Sequence, residues 1–366
     1  MKFESLAVGD CLRRPKMTTG IEQETQISKP RVTAVIPTRN RADLVCRSVE
    51  SVLSQTMTEL ECVVVVDGPD PATCEALARI TDSRLKVLTL EQNVGGCEAR
   101  NIGIRAARGE WIALLDDDDE WLPHRLETQL DAATSGEPVT MVASRFLDRA
   151  GYGDLVRPRK FPKPGQPISE FLWCEVSAFG GIEGFPQTST WLVKREFALE
   201  VPFTKDLKAL QDLDWLLHAF AHPQMRVRFV TEPLTVFHND VARARVAKRI
   251  DWKFCYDWAM SNRGLFTKKA FGYFLVVYCV NPAAQQGASR SELRSLLADC
   301  RRYGKISPKL LWLYSLYSLV YPTVAKLLSS ERRKSLLYKA TNLARGRWLV
   351  PDETVRIAPK KSLLPD

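Results

Sequence analysis

Apolar runs and segments with helical spacing alternate along the first part of the chain. Two short runs rich in β-branched residues, 31–37 and 60–67, each end in a polar turn and predict buried parallel strands, and a third strand is predicted at 85–90. The segments between them, 41–54 and 71–80, place apolar residues near helical spacing. This alternation predicts an α/β fold with a doubly wound, mostly parallel sheet and right-handed crossovers.

A fourth apolar run, 111–115, follows a predicted helix at 97–107 and ends in four consecutive carboxylates, Asp116 to Asp119. Carboxylates this close repel one another, so they need a compensating cation, and hard oxygen ligands favour Mg²⁺ or Mn²⁺. Open α/β sheets bind ligands at the carboxyl ends of their strands, where this run is expected to lie. A solvated acidic turn is the alternative interpretation. The strand before the run and a helix predicted to start at 120–123 argue against it.

An ordered set of short motifs extends over the same region. The motifs are Val35-Ile36-Pro37-Thr38-Arg39-Asn40-Arg41, Val65-Val66-Asp67-Gly68, Asn93-Val94-Gly95-Gly96, Ala99-Arg100-Asn101-Ile102-Gly103, Gly109-Glu110-Trp111 and Leu115-Asp116-Asp117-Asp118-Asp119. Together they resemble the family 2 glycosyltransferases over roughly residues 31–240. The resemblance implies the GT-A fold, which is Rossmann-like, and inverting transfer of a sugar from a nucleoside-diphosphate sugar to a hydroxyl acceptor.

The resemblance assigns donor contacts to the loops that follow the first two strands. Asp67 matches the carboxylate that accepts from the uracil imide in UDP-using members. The family more often has two acidic residues at this place, whereas Asp67 is followed by Gly68 here. Pro37, Thr38 and Arg39 match the loop that borders the nucleotide, and a solvated position is the alternative for the arginine.

The next loop and the acidic run complete the expected donor site. Gly95 precedes a predicted helix, where a glycine permits close backbone approach and the amides suit an anion. Arg100 is expected either to contact a donor phosphate or to form a structural salt bridge. In the family's Asp-x-Asp signature, Asp118 maps to the direct metal ligand, and Asp116 or Asp117 maps toward the ribose or a metal-bound water. The metal, Mn²⁺ or Mg²⁺, would neutralise charge on the departing diphosphate as a Lewis acid.

A second acidic segment opens a predicted helix at 210–218. The resemblance implies that its carboxylate is the general base, which takes the proton of a sugar hydroxyl as the new bond forms. Asp212 is the matching residue, Asp214 is a second candidate, and Gln211 replaces the usual Glu. The alternative for Asp212 is a first-turn Asp that complements the helix dipole.

Three aromatic or imidazole side chains have two interpretations each. His238 ends the segment 234–238, after a predicted strand, and matches a metal-binding His of some relatives, although a lone His is often structural. Trp191 and Trp215 suit either stacking on an acceptor sugar or core packing.

Charge is distributed unevenly along the chain. Residues 243–366 contain 24 Lys and Arg against 8 Asp and Glu, a net charge of +16, whereas residues 1–242 carry −7. We therefore divide the chain into a catalytic domain at 30–240 and a basic, mainly helical module at 241–366.

The basic module contains two apolar runs, 271–280 and 310–325. The second run is slightly short for a transmembrane helix and is interrupted by Pro322. A helix lying on an anionic membrane fits it better, with an ordinary buried helix as the alternative. Peripheral attachment at the inner face of a membrane is thus expected, with a glycan or lipid-linked acceptor for cell-surface glycan synthesis.

The remaining sequence features narrow the function classes. Residues 1–29 are polar, lack an apolar signal core and predict a flexible leader on a cytoplasmic protein. Nine cysteines without CxxC spacing indicate neither a disulfide framework nor a zinc site, and no nucleic-acid-binding motif is present. A sugar-phosphate nucleotidyltransferase would need an early glycine-rich loop, which 37–40 is not. A non-catalytic nucleotide-sugar or polysaccharide-binding protein is the other alternative, kept open by Gln211.

Overall fold

The computed structural model describes residues 29–150, 153–175, 187–239 and 251–320. The expected leader, except residue 29, and the chain after residue 320 lie outside the described residues. The strands are β1 (Val32–Thr38), β2 (Leu60–Val66), β3 (Leu85–Thr89), β4 (Trp111–Leu114), β5 (Glu120–Trp121), β6 (Met141–Ala150), β7 (Gly153–Arg157), β8 (Trp191–Lys194) and β9 (Val227–His238). The α-helices are α1 (Ala42–Leu53), α2 (Pro71–Ala78), α3 (Gly96–Ala106), α4 (Arg125–Thr134), α5 (Ile168–Cys174), α6 (Arg195–Glu200), α7 (Gln211–Ala221), α8 (Trp252–Ser261), α9 (Lys268–Phe274), α10 (Asn281–Gln285), α11 (Arg290–Tyr303) and α12 (Pro308–Ser315).

One sheet contains these strands in the order β3-β2-β1-β4-β8-β6-β9-β5, with β7 paired to β6. The first four strands are parallel, as predicted. The other half is mixed, because β8 runs antiparallel to β4 and β6, and β5 runs antiparallel to β9. Only two residues separate β6 from β7, too few for a crossover, so this pair is antiparallel as well. The prediction of a mostly parallel sheet is therefore wrong beyond β4.

Helices cover both faces of β1, β2 and β4, which explains why these strands are apolar at nearly every position, whereas the edge strand β3 is largely exposed. Ala34 and Ile36 of β1 pack in one cluster with Val45 and Val49 of α1. Val35 faces the opposite cluster, which includes residues of α3 and α7. A Cβ on Gly103 of α3 would lie 2.4 Å from Cγ1 of Val35, so a glycine permits this helix to pack closely on β1.

The helix predicted to start at 120–123 does not form there. Glu120–Trp121 is instead a two-residue strand that pairs antiparallel with β9, and α4 begins at Arg125. The indole Nε1 of Trp121 donates to the carbonyl of Ser189 at 3.1 Å. Pairing with a strand more than 100 residues away overrides the local helical preference.

The C-terminal helices pack on the catalytic part rather than forming a separate core. A single hydrophobic cluster includes Trp191 and Trp215 from one part, and Trp258, Phe274 and Tyr317 from the other. The apolar run at 271–280 forms α9 and a π-helical continuation that are largely buried in this cluster. Over the ranges given above, no helix is both long and apolar enough to cross a membrane.

Candidate active site

The carboxyl ends of β1, β2 and β4 bring the predicted donor-site segments to one edge of the sheet. The amide of Asp67 donates to the carbonyl of Thr38 at 2.9 Å, and the Thr38 hydroxyl donates to Asp117 at 2.8 Å. Pro37 is half-buried beside them, and Arg39 is exposed in the loop that follows. The parallel register of these strands therefore gathers residues that are up to 80 positions apart.

Two arginines lie against the middle of the acidic run. Nη1 of Arg41 lies 2.6 Å from Asp117 Oδ1 and 3.0 Å from Asp118 Oδ2, and Nη2 of Arg47 donates to the Asp118 carbonyl at 2.8 Å. Burial raises the pKa of Asp117 to about 6, and the Asp118 charge adds to this, whereas Arg41 and Thr38 oppose it. Protein cations thus supply part of the charge compensation that the sequence led us to expect from a metal.

Asp119 is the fully buried end of the acidic run. Its Oδ2 accepts from the Gln187 amide at 2.8 Å and the Ser189 hydroxyl at 2.7 Å. The same Ser189 hydroxyl accepts from the amide of Asp116 at 3.0 Å, and the Ser48 hydroxyl donates to the Asp119 carbonyl. Sequence reasoning missed the polar turn that contains Gln187 and Ser189. Because the hydrogen bonds of this turn occupy the buried Asp119 carboxylate, Asp119 has a structural role within the acidic run.

The Asp67 carboxylate holds the loop that leads into α3. It accepts from the Asn93 side chain at 2.8 Å and from the amides of Val94 and Gly95 at 2.7 and 3.0 Å. Gly95 has φ +83°, a conformation that glycine adopts without strain. A role of Asp67 toward uracil stays a prediction.

Asp70 is a further buried carboxylate that sequence reasoning missed. It caps α2 by accepting from the amide of Thr73 at 3.2 Å, and it accepts from the amide of Asn40 in the loop after β1 at 2.6 Å. Burial acts to raise its pKa, but the hydrogen bonds from Thr73 and Asn40 and the charge of Arg39 hold that pKa below its usual range. The Asp-Pro start of a predicted helix was the signal that could have identified it.

The predicted base lies beside the first carboxylate of the acidic run. Arg100 is buried and contacts Asp116 and the residue before Asp212, with Nη2 2.6 Å from Asp116 Oδ1 and Nη1 2.9 Å from Gln211 Oε1. Burial raises the pKa of Asp212 to about 6, with the Asp116 charge as the next cause, while Arg100 and Thr188 act in the opposite direction. Arg100 therefore forms a salt bridge with Asp116 in this structure, its contact with a donor phosphate stays a prediction, and Asp212 lies near the predicted donor site.

Asp214 has a different environment from Asp212. Its side chain is 3% exposed, and its two carboxylate oxygens accept from Trp258 Nε1 at 2.7 Å and from the Thr204 hydroxyl at 2.6 Å. Asp212 is only partly buried. A general base needs access to the acceptor hydroxyl, so Asp212 is the better candidate of the two.

His238 is buried, and its Nε2 lies 2.7 Å from Glu120 Oε1. The same carboxylate oxygen is 3.1 Å from Nε of Arg47. In the part of the chain that the structure describes, no group of three or more His, Cys, Asp or Glu side chains is arranged to hold a metal ion. The metal roles of His238 and Asp118 stay predictions.

Trp191 and Trp215 stack on each other in the core. Their ring centroids are 5.1 Å apart at an interplanar angle of 28°, and both side chains are buried. Core packing is thus the role that the structure gives to both.

Comparison with known proteins gives the class of this protein. Residues 33–185 match the family model described as glycosyl transferase family 2. The succinoglycan biosynthesis protein ExoO of Rhizobium meliloti is 44% identical over 104 residues, which are 28% of this chain and 30% of that protein. The putative colanic acid biosynthesis glycosyl transferase WcaA of Escherichia coli is 29% identical over 221 residues, 58% of this chain and 75% of that protein.

A solved structure has the same fold. The crystal structure of S. aureus TarS residues 1–349 in complex with UDP-GlcNAc superposes with a TM-score of 0.55 at 16% identity, covering 80% of this chain and 92% of that one. Residues 33–185 therefore belong to the family 2 glycosyltransferases, and the chain is a glycosyltransferase with the GT-A fold.

Proposed function

We propose that this enzyme transfers a sugar with inversion from a UDP-sugar to a hydroxyl of a cell-surface polysaccharide under assembly. The observation that carries the proposal is the position of Asp212, a residue of intermediate burial that lies near enough to Asp116 of the acidic run for their charges to interact. A candidate base and a candidate donor site at one edge of the sheet suit attack of an acceptor on a bound donor. The names of ExoO and WcaA support a polysaccharide product.

The donor site is proposed at the carboxyl ends of β1, β2 and β4. Asp67 and the loop it holds, through Gly95, would border the base, as the resemblance implies. The neighbour TarS, which shares the fold, binds UDP-GlcNAc, and this supports UDP as the nucleotide. Arg100 and Arg41 place two positive charges at this edge, beside the Asp116 and Asp117 carboxylates.

The carboxylates of Asp116 and Asp118 fit a divalent ion that is held mainly by the donor diphosphate. Their oxygens are the hard ligands that Mg²⁺ and Mn²⁺ prefer, and the Asp116 side chain is 26% exposed. Among the described residues, its Oδ2 accepts no hydrogen bond, which leaves an oxygen for a ligand. When bound, the ion supplies Lewis-acid neutralisation of the diphosphate charge. We keep Asp118 as the proposed direct ligand and His238 as a proposed supplementary one.

The residues of the chain provide the proton transfer. The acceptor hydroxyl oxygen forms a bond to the anomeric carbon while Asp212 takes the hydroxyl proton. The bond from the anomeric carbon to the diphosphate oxygen breaks, and the nucleoside diphosphate leaves with the electron pair. Because the attack comes from the face opposite the leaving group, the anomeric configuration inverts.

Peripheral attachment to an anionic membrane through residues 241–366 is part of the same proposal. The side chains of Trp312 on α12 and Leu319 in the following π-helical turn are 48% and 69% exposed. Residues 243–366 have a net charge of +16. Exposed aromatic and aliphatic side chains next to basic residues are typical of proteins that bind the surface of anionic bilayers.

A thermal-shift screen of nucleotide sugars, with and without Mn²⁺, tests the donor assignment. We expect a UDP-sugar to raise the melting temperature and Mn²⁺ to increase the effect, because ligand binding to the folded state stabilises it. A larger shift with GDP- or dTDP-sugars would overturn the UDP assignment. The donor found in this way then serves in transfer assays that measure release of the nucleoside diphosphate.

A further inference from the structure

Helix α7 carries two carboxylates that point in different directions. Asp212 and Asp214 are two residues apart, which corresponds to about 200° around a helix. The charge of Asp212 interacts with that of Asp116 in the acidic run, whereas the Asp214 carboxylate accepts a hydrogen bond from Trp258 of the C-terminal helices. The same turn of helix therefore connects the candidate base to the part of the chain after residue 250.

The Asp214 carboxylate is buried between two neutral donors. Trp258 Nε1 donates to Oδ1 at 2.7 Å, and the Thr204 hydroxyl donates to Oδ2 at 2.6 Å. Within the described residues, no Lys or Arg lies within 4.0 Å of it, and the nearest basic group is His218 Nδ1 at 3.7 Å. A buried carboxylate is costly unless hydrogen bonds compensate for its lost hydration, so this contact depends strongly on both donors.

Trp258 is itself held firmly. It lies on α8 within an aromatic cluster, with ring centroids 5.9 Å from Phe266, 5.2 Å from Phe274 and 6.4 Å from Trp173. These rings are contributed by α5, α8, α9 and the segment between the last two. A rigid donor from the C-terminal helices therefore fixes the first turn of α7.

The start of α7 needs such a contact because it has no side-chain cap. Leu210, the residue before it, has φ +63°, and within the described residues it provides no side-chain cap hydrogen bond to the helix. Its first turn is held through side chains, namely Gln211 on Arg100 and Asp214 on Trp258 and Thr204. Loss of one of these contacts is expected to move Asp212, which lies between Gln211 and Asp214 in the chain.

We infer that Asp214 and Trp258 form a positioning contact through which the C-terminal helices set the orientation of the catalytic base. The inference rests on the proposed role of Asp212. It makes residues 251–320 a part of the catalytic unit, in addition to any function as a membrane-binding surface. A displacement of about 1 Å in a catalytic group can lower a rate about 100-fold, so the contact affects turnover and not only stability.

Trp258→Phe removes the donor, and Trp173→Phe is a matched control. Both substitutions shrink an indole in the same aromatic cluster, but Trp173 Nε1 has no hydrogen-bond partner in the described residues. We expect Trp258→Phe to lower kcat about 10- to 100-fold while donor Kd and binding stoichiometry stay unchanged. Trp173→Phe should lower the melting temperature and leave kcat per donor-binding site at the wild-type value.

Asp214→Asn provides a second and milder variant, because an amide can still accept from Trp258 and donate to Thr204. If the two residues act through their mutual hydrogen bond, the double variant Asp214→Asn/Trp258→Phe should have nearly the kcat of the less active of the two single variants. Additive effects on kcat, or equal kcat for Trp258→Phe and Trp173→Phe, would overturn the inference.

A readout without turnover separates this inference from the proposed function. The Asp212 pKa, followed by ¹³C-carboxyl NMR and assigned by comparison with Asp212→Asn, should change in Trp258→Phe and stay constant in Trp173→Phe. An unchanged value in both variants refutes the positioning contact. Full activity of Asp212→Asn would instead refute the proposed function, whatever the titration shows.

Discussion

Asp212→Asn is the substitution that examines the proposed mechanism most directly. Asparagine has nearly the same shape but cannot accept the proton of the acceptor hydroxyl. We expect kcat to fall about 10²- to 10⁴-fold, the usual contribution of a general base. Donor affinity should stay at the wild-type value, because the base acts on the acceptor. Asp214→Asn should cause a smaller loss, because Asp214 accepts from Trp258 and Thr204 and does not face the acidic run.

The raised pKa of Asp212 gives the same substitution an effect on stability. Its folded-state pKa is about 6, against an ordinary value of 3.8. The folded state binds this proton more tightly than the unfolded state, so the free energy of unfolding falls as pH rises through this window. The difference corresponds to about 3 kcal/mol at neutral pH. Asparagine does not ionise, so the variant should be more stable than the wild type above pH 6, by up to about this amount.

Two measurements examine these expectations. The pH dependence of kcat/KM, followed by release of nucleoside diphosphate, should show an acidic limb with an apparent pKa of about 6 in the wild type. Urea unfolding at pH 3 and pH 8 should show that Asp212→Asn gains stability relative to the wild type at the higher pH, because pH 3 lies below both the folded and the ordinary pKa of Asp212. An active Asp212→Asn variant would refute the base assignment, and an acidic limb near the ordinary Asp value would refute the account of its environment.

Three further predictions concern the metal, the base and the membrane. Asp118→Asn should abolish Mn²⁺-dependent UDP binding by calorimetry without loss of fold, because Arg41 keeps its contact with Asp117; undiminished binding would refute the ligand assignment. Arg100→Gln should move the acidic limb of kcat/KM to higher pH, because the Arg100 charge favours the ionised form of Asp212; an unmoved limb would contradict the role. Trp312→Glu should reduce co-sedimentation with anionic vesicles at high salt, where the apolar contribution dominates, and leave transfer to a soluble acceptor unchanged; equal sedimentation would exclude this face.

Membrane attachment is better tested with a point variant than with a truncation near residue 240. Trp258, Phe274 and other residues of the C-terminal helices share a hydrophobic cluster with Trp215. Removing these helices would expose that core, so a loss of vesicle binding after truncation would not report on the membrane surface.

Local patterns were sufficient for the parallel half of the sheet. Buried parallel strands are apolar at nearly every position and end in polar residues, so the runs that became β1, β2 and β4 were recognisable from the sequence. The acidic run and the 210–218 segment were recognisable for the same reason, because a motif is a local property of the chain. The mixed half of the sheet was not, since β5 depends on pairing with β9, which is distant in sequence.

The sequence by itself determined which carboxylates are candidates for the chemistry, and the tertiary structure decided how their environments differ. Four adjacent Asp residues look equivalent in the sequence. In the fold, Asp116 contacts Arg100 and Asp117 contacts Arg41, whereas Asp119 is buried under a polar turn. Likewise, Asp212 and Asp214 became distinct only when α8 brought the Trp258 indole to one of them. The role of a carboxylate depends on its burial and on its hydrogen-bond partners, and both come from segments that are distant in sequence.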